Sequence, residues 1–230
     1  MSTFVLVHGS YQGGWIWKPV GERLRARGHG VYRPTLAGSA ERRREVRPDL
    51  TLADYGAEIA DLFFYEDLTD VIFVGTSIGG MVVCEVAPKV AERIRRLVFI
   101  DALVPLPGES VPQINSRAPY DQRNVVYGAK PEAARGTVFA DLAPDLQDWA
   151  LARYTQQAIK PTDDPVDLRD FWSGSWQVDV LRCTRSGAPP EAHQRRTAER
   201  LHGSYTELDA GHYPMLSHTD EITEYLEGLS

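Results

Sequence analysis

"VIFVGTSIGG", residues 71–80, is an apolar run that breaks into glycines around a single serine. Val71, Ile72, Phe73 and Val74 are β-branched or aromatic, as a strand buried on both faces requires. The following "IGGMVVCEVAPKVAERI" (78–94) reads as a helix disturbed at Pro88. Gly75-Thr76-Ser77-Ile78-Gly79 is therefore G-x-S-x-G set between a strand and a helix, the context in which that motif is informative. A serine there sits on a sharp, strained turn, and its flanking glycines leave room where a side chain would collide with the neighbouring strand or helix. The turn lifts Ser77 Oγ clear of the sheet and points the Ile78 amide, at the helix start, into the same space. A nucleophile and an oxyanion donor are what acyl transfer needs, so Ser77 and Ile78 are the first candidate site residues.

Outward from this stretch, short strand-like runs alternate with helix signals, the pattern of parallel strands joined by crossover helices. "TFVLVHG" (3–9) predicts a buried strand, "WIWKPVGERLRARGH" (15–29) a helix stopped by Gly28, and "GVYRP" (30–34) a short strand. "TLADYGAEIADLFFYEDL" (51–68) combines a Thr51/Asp54 capping box with Leu52, Tyr55, Ile59, Leu62 and Phe63 at helical period. Further strands are expected at "RLVFID" (96–101), "VDVLRCT" (178–184) and "SYTELD" (204–209), and a closing helix at "DEITEYLEGL" (220–229). The chain reads as one domain over 1–230. Between Asp101 and Val178, about 75 residues rich in proline and aromatics break the alternation. Residues 104–176 are read as a small cap inserted over the carboxyl end of the sheet, where open α/β sheets bind ligands, with most of its aromatics packing on the core.

A nucleophilic serine needs a base, an orienting carboxylate and a second oxyanion donor. "ELDAGHYPML" (207–216) places His212 on the loop after the last strand, the position and chain order of a base. "HGS" (8–10) follows the first strand. Gly9 lets the chain turn so that the Ser10 amide faces the site, which makes Ser10 the second oxyanion donor and leaves His8 a structural role.

Composition removes other classes. The 230 residues are 43% hydrophobic and carry a net charge of −7, so an extended basic surface for nucleic acid is not expected. Cys84 and Cys183 lie about a hundred residues apart in apolar surroundings, without metal-site spacing, and read as reduced core residues. "MSTFVLVHGS" has neither a basic leader region nor a long apolar run, so no secretory signal or membrane span is expected and the cytoplasm is the default compartment.

"FVLVHGSYQGGWIW", "VGTSIGGM" and "DAGHYPML" together resemble the α/β-hydrolase superfamily, in particular the branch of plant methyl esterases and hydroxynitrile lyases with their small bacterial relatives. The likeness runs from residue 3 to the end and is weak across the cap. It implies the α/β-hydrolase fold, a mostly parallel central sheet flanked by helices with a cap after the strand ending near Asp101. It also implies a carboxylic ester hydrolase for small, largely apolar or aromatic esters, without metal or organic cofactor, and suggests a homodimer.

One feature departs from the pattern. The methyl-esterase carboxylate follows the penultimate strand, but that loop here is "RCTRSGAPPEA" (182–192), with Ser186 where the aspartate would fall. The best replacement is Asp101, at the end of the preceding strand. This resembles certain haloalkane dehalogenases and keeps the order serine, acid, histidine. Asp209, Glu191 or no acid at all are the alternatives, and Asp179 sits at the wrong end of its strand. Tyr213 follows His212 where the lyases carry a lysine, which disfavours lyase chemistry. The basic run "ERRREVR" (41–47) reads as a solvated loop, and Tyr213 and His218 as packing and surface residues. Three readings compete with the ester hydrolase: a thioesterase or cyclase, a hydroxynitrile lyase, and a small-molecule receptor with a degenerate triad.

Overall fold

The structure, a computed structural model, describes residues 1–128 and 130–230. In chain order its strands are β1 (Thr3–Val7), β2 (Gly30–Tyr32), β3 (Val71–Ser77), β4 (Ile94–Ala102), β5 (Val126–Tyr127), β6 (Gln157–Ala158), β7 (Val178–Cys183) and β8 (Ser204–Leu208). Six of them form one sheet in the order β2-β1-β3-β4-β7-β8, every pair parallel. The chain leaves β1 for β2 on one side and returns to β3 on the other. The loops after β1 and β3 therefore meet at the switch point of the sheet, where a crevice opens.

The helices are α1 (Lys18–Ala26), α2 (Leu52–Tyr65), α3 (Gly79–Val86), α4 (Val111–Ile114), α5 (Pro131–Arg135), α6 (Pro144–Leu151), α7 (Lys160–Asp163), α8 (Arg169–Ser173), α9 (Glu191–Arg200), α10 (Pro214–Ser217) and α11 (Thr219–Gly228). Strand alternation divides the core between the two faces of the sheet. Phe4, Leu6, Ile72, Val74, Val98 and Ile100 pack with Val20 and Leu24 of α1 and Ile222 and Leu226 of α11. Val5, Val7, Phe73, Leu97 and Phe99 pack with Tyr55, Ile59 and Phe63 of α2 and with Met81 to Cys84 of α3.

Local signals place most of these boundaries. Thr51 Oγ1 accepts from Asp54 N at 3.3 Å while Asp54 Oδ2 accepts from Thr51 N at 2.8 Å, the reciprocal capping box that starts α2. Gly28, at φ +89°, ends α1: its N–H donates to Arg25 O, and His29 N–H donates to Leu24 O. Three details differ from expectation. The helix expected over 15–29 begins at Lys18, with Pro19 in its first turn and a 3₁₀ turn, Gly14–Trp17, before it. The helix expected over 78–94 stops at Val86, and 3₁₀ turns over Ala87–Lys89 and Ala91–Arg93 replace its end, because Pro88 cannot donate to the ladder. Between β4 and β7 the chain forms α4 to α8 and a two-stranded antiparallel ribbon, β5 with β6. The partners of that ribbon lie about thirty residues apart, so no local pattern announces it.

Two buried histidines hold connections in the neutral form. His8 Nε2 accepts from Leu36 N at 3.0 Å and Nδ1 donates to Gly9 O at 2.7 Å, which gives His8 the structural role expected of it. His193, on α9, accepts from Val104 N at 2.9 Å through Nε2 and ties the start of the inserted segment to that helix. Burial lowers His8 to about 4; burial, then the adjacent Arg196 guanidinium, lowers His193 to about 4.

Both folded values lie below the ordinary 6.5, so stability is fully present above about pH 6.5 and falls as pH drops from there toward 4. Each histidine contributes on the order of 3 kcal/mol to that loss. A thermal-midpoint profile from pH 8 to pH 4 should slope steeply below 6.5, and His193→Gln, which still offers an acceptor, should flatten part of it. A slope identical in the variant would remove His193 from the account.

Candidate active site

Ser77 ends β3 at φ +52°, the left-handed region that a non-glycine residue rarely occupies, and its carbonyl is held by Leu103 N at 2.9 Å. The glycines around it are required by contact. A Cβ on Gly75 would lie 2.6 Å from the Gly79 carbonyl oxygen, and one on Gly79 would lie 2.6 Å from Val7 O and 2.8 Å from His8 O. Helix α3 is thus pressed directly onto the end of β1. Gly9 serves the same close approach, since its Cβ would sit 2.8 Å from the Ser77 Cβ. The residue of this loop at positive φ is Tyr11, at +66°.

Ser10, Ser77, Ile78 and His212 line one cavity of about 250 Å³. Ile78 stands ahead of the first turn of α3, where backbone N–H groups have no intrahelical partner. Tyr11 N–H donates to Gln157 Oε1 at 3.3 Å and Tyr11 O accepts from Thr155 N at 2.8 Å, so β6 and its approach brace the Ser10 loop.

Asp101 is fully buried at the end of β4. Thr76 pairs with Ile100 and Ser77 with Ala102, which leaves Asp101 as the extra residue of a β-bulge at φ +45°. The bulge frees its carboxylate from strand alternation and lets it reach past β7. There Asp101 Oδ2 meets His212 Nδ1 at 2.5 Å, while Oδ1 accepts from Gln194 Nε2 at 2.8 Å and from Cys183 N at 3.3 Å. A carboxylate on Nδ1 holds the ring with Nε2 as the nitrogen available to a hydroxyl.

Ser186 also lies near the ring: its Oγ is 3.3 Å from His212 Nδ1 and donates to Ala188 O at 3.1 Å. The alternative acids lie elsewhere. Asp209 is exposed and pairs with Arg185 at 3.2 Å, and Glu191 pairs with Arg195 and Arg182 on the outer face of α9. Asp179 pairs with Arg96 and Ser204 at the opposite end of β7. The basic run, expected as a loop, forms a 3₁₀ turn over Ala40–Glu45 and pairs its charges near the surface: Arg42 with Glu45 and Glu58, and Arg47 with Asp49 and Asp54.

Two polar supports escaped the sequence reading. Gln194 is 1% exposed on α9, and Asp141, from the inserted segment, accepts from Gly211 N at 2.9 Å and so holds the residue before His212. The only trace of Gln194 in the sequence is a polar residue within the buried stripe His193, Gln194, Thr197, Ala198 of an otherwise charged helix. Tyr213 packs its ring 4.5 Å from that of His212 and 5.3 Å from Phe139, and burial raises its phenol well above the ordinary value, so it is neutral. His218 caps the start of α11, away from the cavity lining. Among the described residues, no group of three or more His, Cys, Asp or Glu side chains is arranged to hold a metal, and no helix is long and apolar enough to cross a membrane.

The chain is similar to known proteins over most of its length. A carbendazim hydrolyzing esterase of Nocardioides sp. (strain SG-4G) is 33% identical over 241 residues, covering all of both chains. Salicylic acid-binding protein 2 of Nicotiana tabacum is 33% identical over 84% of this chain and 82% of its own. Among solved structures, an extracellular alpha/beta-hydrolase from a Paenibacillus species superposes with a TM-score of 0.85 at 24% identity, covering 99% of this chain and 98% of that one. The alpha/beta hydrolase family matches residues 4–224, and with a buried serine turn at the head of a parallel sheet, the chain belongs to that family.

Proposed function

We propose that the chain is a serine ester hydrolase in which Ser77 is the nucleophile, His212 the general base and Asp101 the carboxylate that orients it. The observation that carries this reading is the contact of 2.5 Å between Asp101 Oδ2 and His212 Nδ1, made beside the cavity that Ser77 lines. His212 Nε2 takes the Ser77 proton as Oγ attacks the ester carbonyl, and the amides of Ser10 and Ile78 receive the oxyanion. Collapse expels the alcohol, protonated by His212. Water, deprotonated by the same ring, then attacks the acyl-enzyme and releases the acid. The esterase relative that spans the whole chain supports ester hydrolysis as the class of reaction.

Leu103, Val138, Tyr11, Tyr154 and Tyr213 supply apolar and aromatic wall, which suits small, largely apolar or aromatic esters. Residues 104–176 act in this reading as the cap that excludes water from the serine. The receptor alternative loses its ground, since its support was the serine at 186 and a carboxylate faces His212 from Asp101 instead. Tyr213, neutral and buried, offers no charge to a departing cyanide, so lyase chemistry is not favoured.

Hydrolysis of p-nitrophenyl acetate and of carbendazim, the compound for which the Nocardioides relative is named, tests the reaction. Turnover of either should vanish in Ser77→Ala; turnover that survives this substitution would move the nucleophile elsewhere. Asp101→Asn should lower kcat by roughly 10³- to 10⁴-fold through the wrong imidazole tautomer. Because Ser186 already lies 3.3 Å from Nδ1, adding Ser186→Asp to Asp101→Asn should restore at least about tenfold of that loss. An Asp101→Asn variant with wild-type kcat would refute the assignment of the acid.

A further inference from the structure

We infer that the cavity ends in a neutral polar subsite, formed by Asn115 and Arg117 in the inserted segment, that selects esters bearing an uncharged group with both a hydrogen-bond donor and an acceptor, such as a carboxamide. The inference deepens the ester-hydrolase reading and rests on it.

The charge in this corner is already balanced. Asp163 has no exposed side-chain surface, and its carboxylate accepts from Arg117 Nη2 at 2.5 Å, Arg117 Nη1 at 3.3 Å, Tyr120 N at 2.7 Å and Thr162 Oγ1 at 3.1 Å. A charged substituent entering beside this pair would lose its hydration without finding an opposite charge in need of a partner. A neutral group meets no such cost.

The hydrogen-bonding capacity, by contrast, is incomplete. A guanidinium has five N–H donors, and Arg117 places three bonds, two on Asp163 and one on Ala118 O at 2.9 Å, while the Tyr120 ring covers its face at 4.1 Å. Asn115 Oδ1 is buried and has no hydrogen-bond partner among the described residues. Both side chains line the same cavity as Ser77. An acceptor for Arg117 and a donor for Asn115 are what one primary carboxamide supplies, and a buried acceptor such as Asn115 Oδ1 that is left unmet carries the full desolvation cost of that group.

The approach to this corner is aromatic. Tyr11, the neighbour of Ser10, reaches Tyr120 hydroxyl to hydroxyl at 3.4 Å, so two tyrosine side chains, Tyr11 and Tyr120, link the Ser10 loop to Arg117. Tyr120 stacks on Tyr127 at 3.7 Å, and Tyr154 lies 5.1 Å from Tyr11. A flat spacer between the reacting carbonyl and the distal group fits between such walls.

Three methyl benzoates of similar outline test the idea, carrying at the para position a carboxamide, a carboxylate or an isopropyl group. Binding is measured calorimetrically on Ser77→Ala, which separates recognition from turnover. The carboxamide should bind about tenfold tighter than either other ester. In Ser77→Ala/Asn115→Leu that preference should fall to within about twofold; if that protein does not fold, Ser77→Ala/Arg117→Lys, which keeps a cation for Asp163, should show the same loss. Equal binding of all three esters, tighter binding of the carboxylate, or a preference untouched by both substitutions would overturn the subsite. Wild-type turnover of the same esters reports separately on the hydrolase reading, so a tenfold binding preference without turnover would retain the subsite and refute the reaction.

Discussion

The site depends on how closely helix α3 is pressed against the end of strand β1. The Val7 and His8 carbonyl oxygens occupy the space that a Cβ on residue 79 would need, and the Gly79 carbonyl occupies the space of a Cβ on residue 75. Only glycine at both positions permits the approach, and the approach leaves Ser77 no conformation but a left-handed one. The strain is held by the buried strands on either side. In exchange, a hydroxyl and a helix-start amide share one small volume at the switch point of the sheet.

A second backbone irregularity brings a carboxylate to His212. A residue in regular alternation at position 101 would be directed with Phe99 toward α2 and α3. The bulge removes Asp101 from pairing and turns its carboxylate toward the ends of β7 and β8. Burying a carboxylate completely is costly unless its oxygens are met, and here Gln194 and Cys183 N meet one while His212 meets the other. Ser186 thus stands beside the ring while the carboxylate at Nδ1 comes from Asp101.

The inserted segment is tied to the sheet by contacts that also shape the cavity. Gln157 and Thr155 brace the Ser10 loop, Asp141 holds the turn before His212, and His193 anchors the first residues after β4. The cavity lies between the sheet end and a wall built from short helices and the two-residue strands of the ribbon.

The sequence by itself determined the alternation of strands and helices, the capping box of α2, the glycine-flanked turn at Ser77 and the histidine after the last strand. Each is a short-range property: periodicity, a three-residue cap, a motif that only glycines permit. It also pointed to Asp101, by elimination and chain order. Tertiary structure decided how Asp101 reaches the ring, because a bulge is a mismatch between two strands and neither strand announces it alone. It likewise decided that Gln194 and Asp141 meet Asp101 and Gly211, that Gly9 serves contact with Ser77, and that Arg117 is neutralised by Asp163 while Asn115 Oδ1 finds no partner among the described residues. These facts depend on side chains tens to more than a hundred residues apart, brought together only when the core forms, and no pattern along one segment encodes such a meeting.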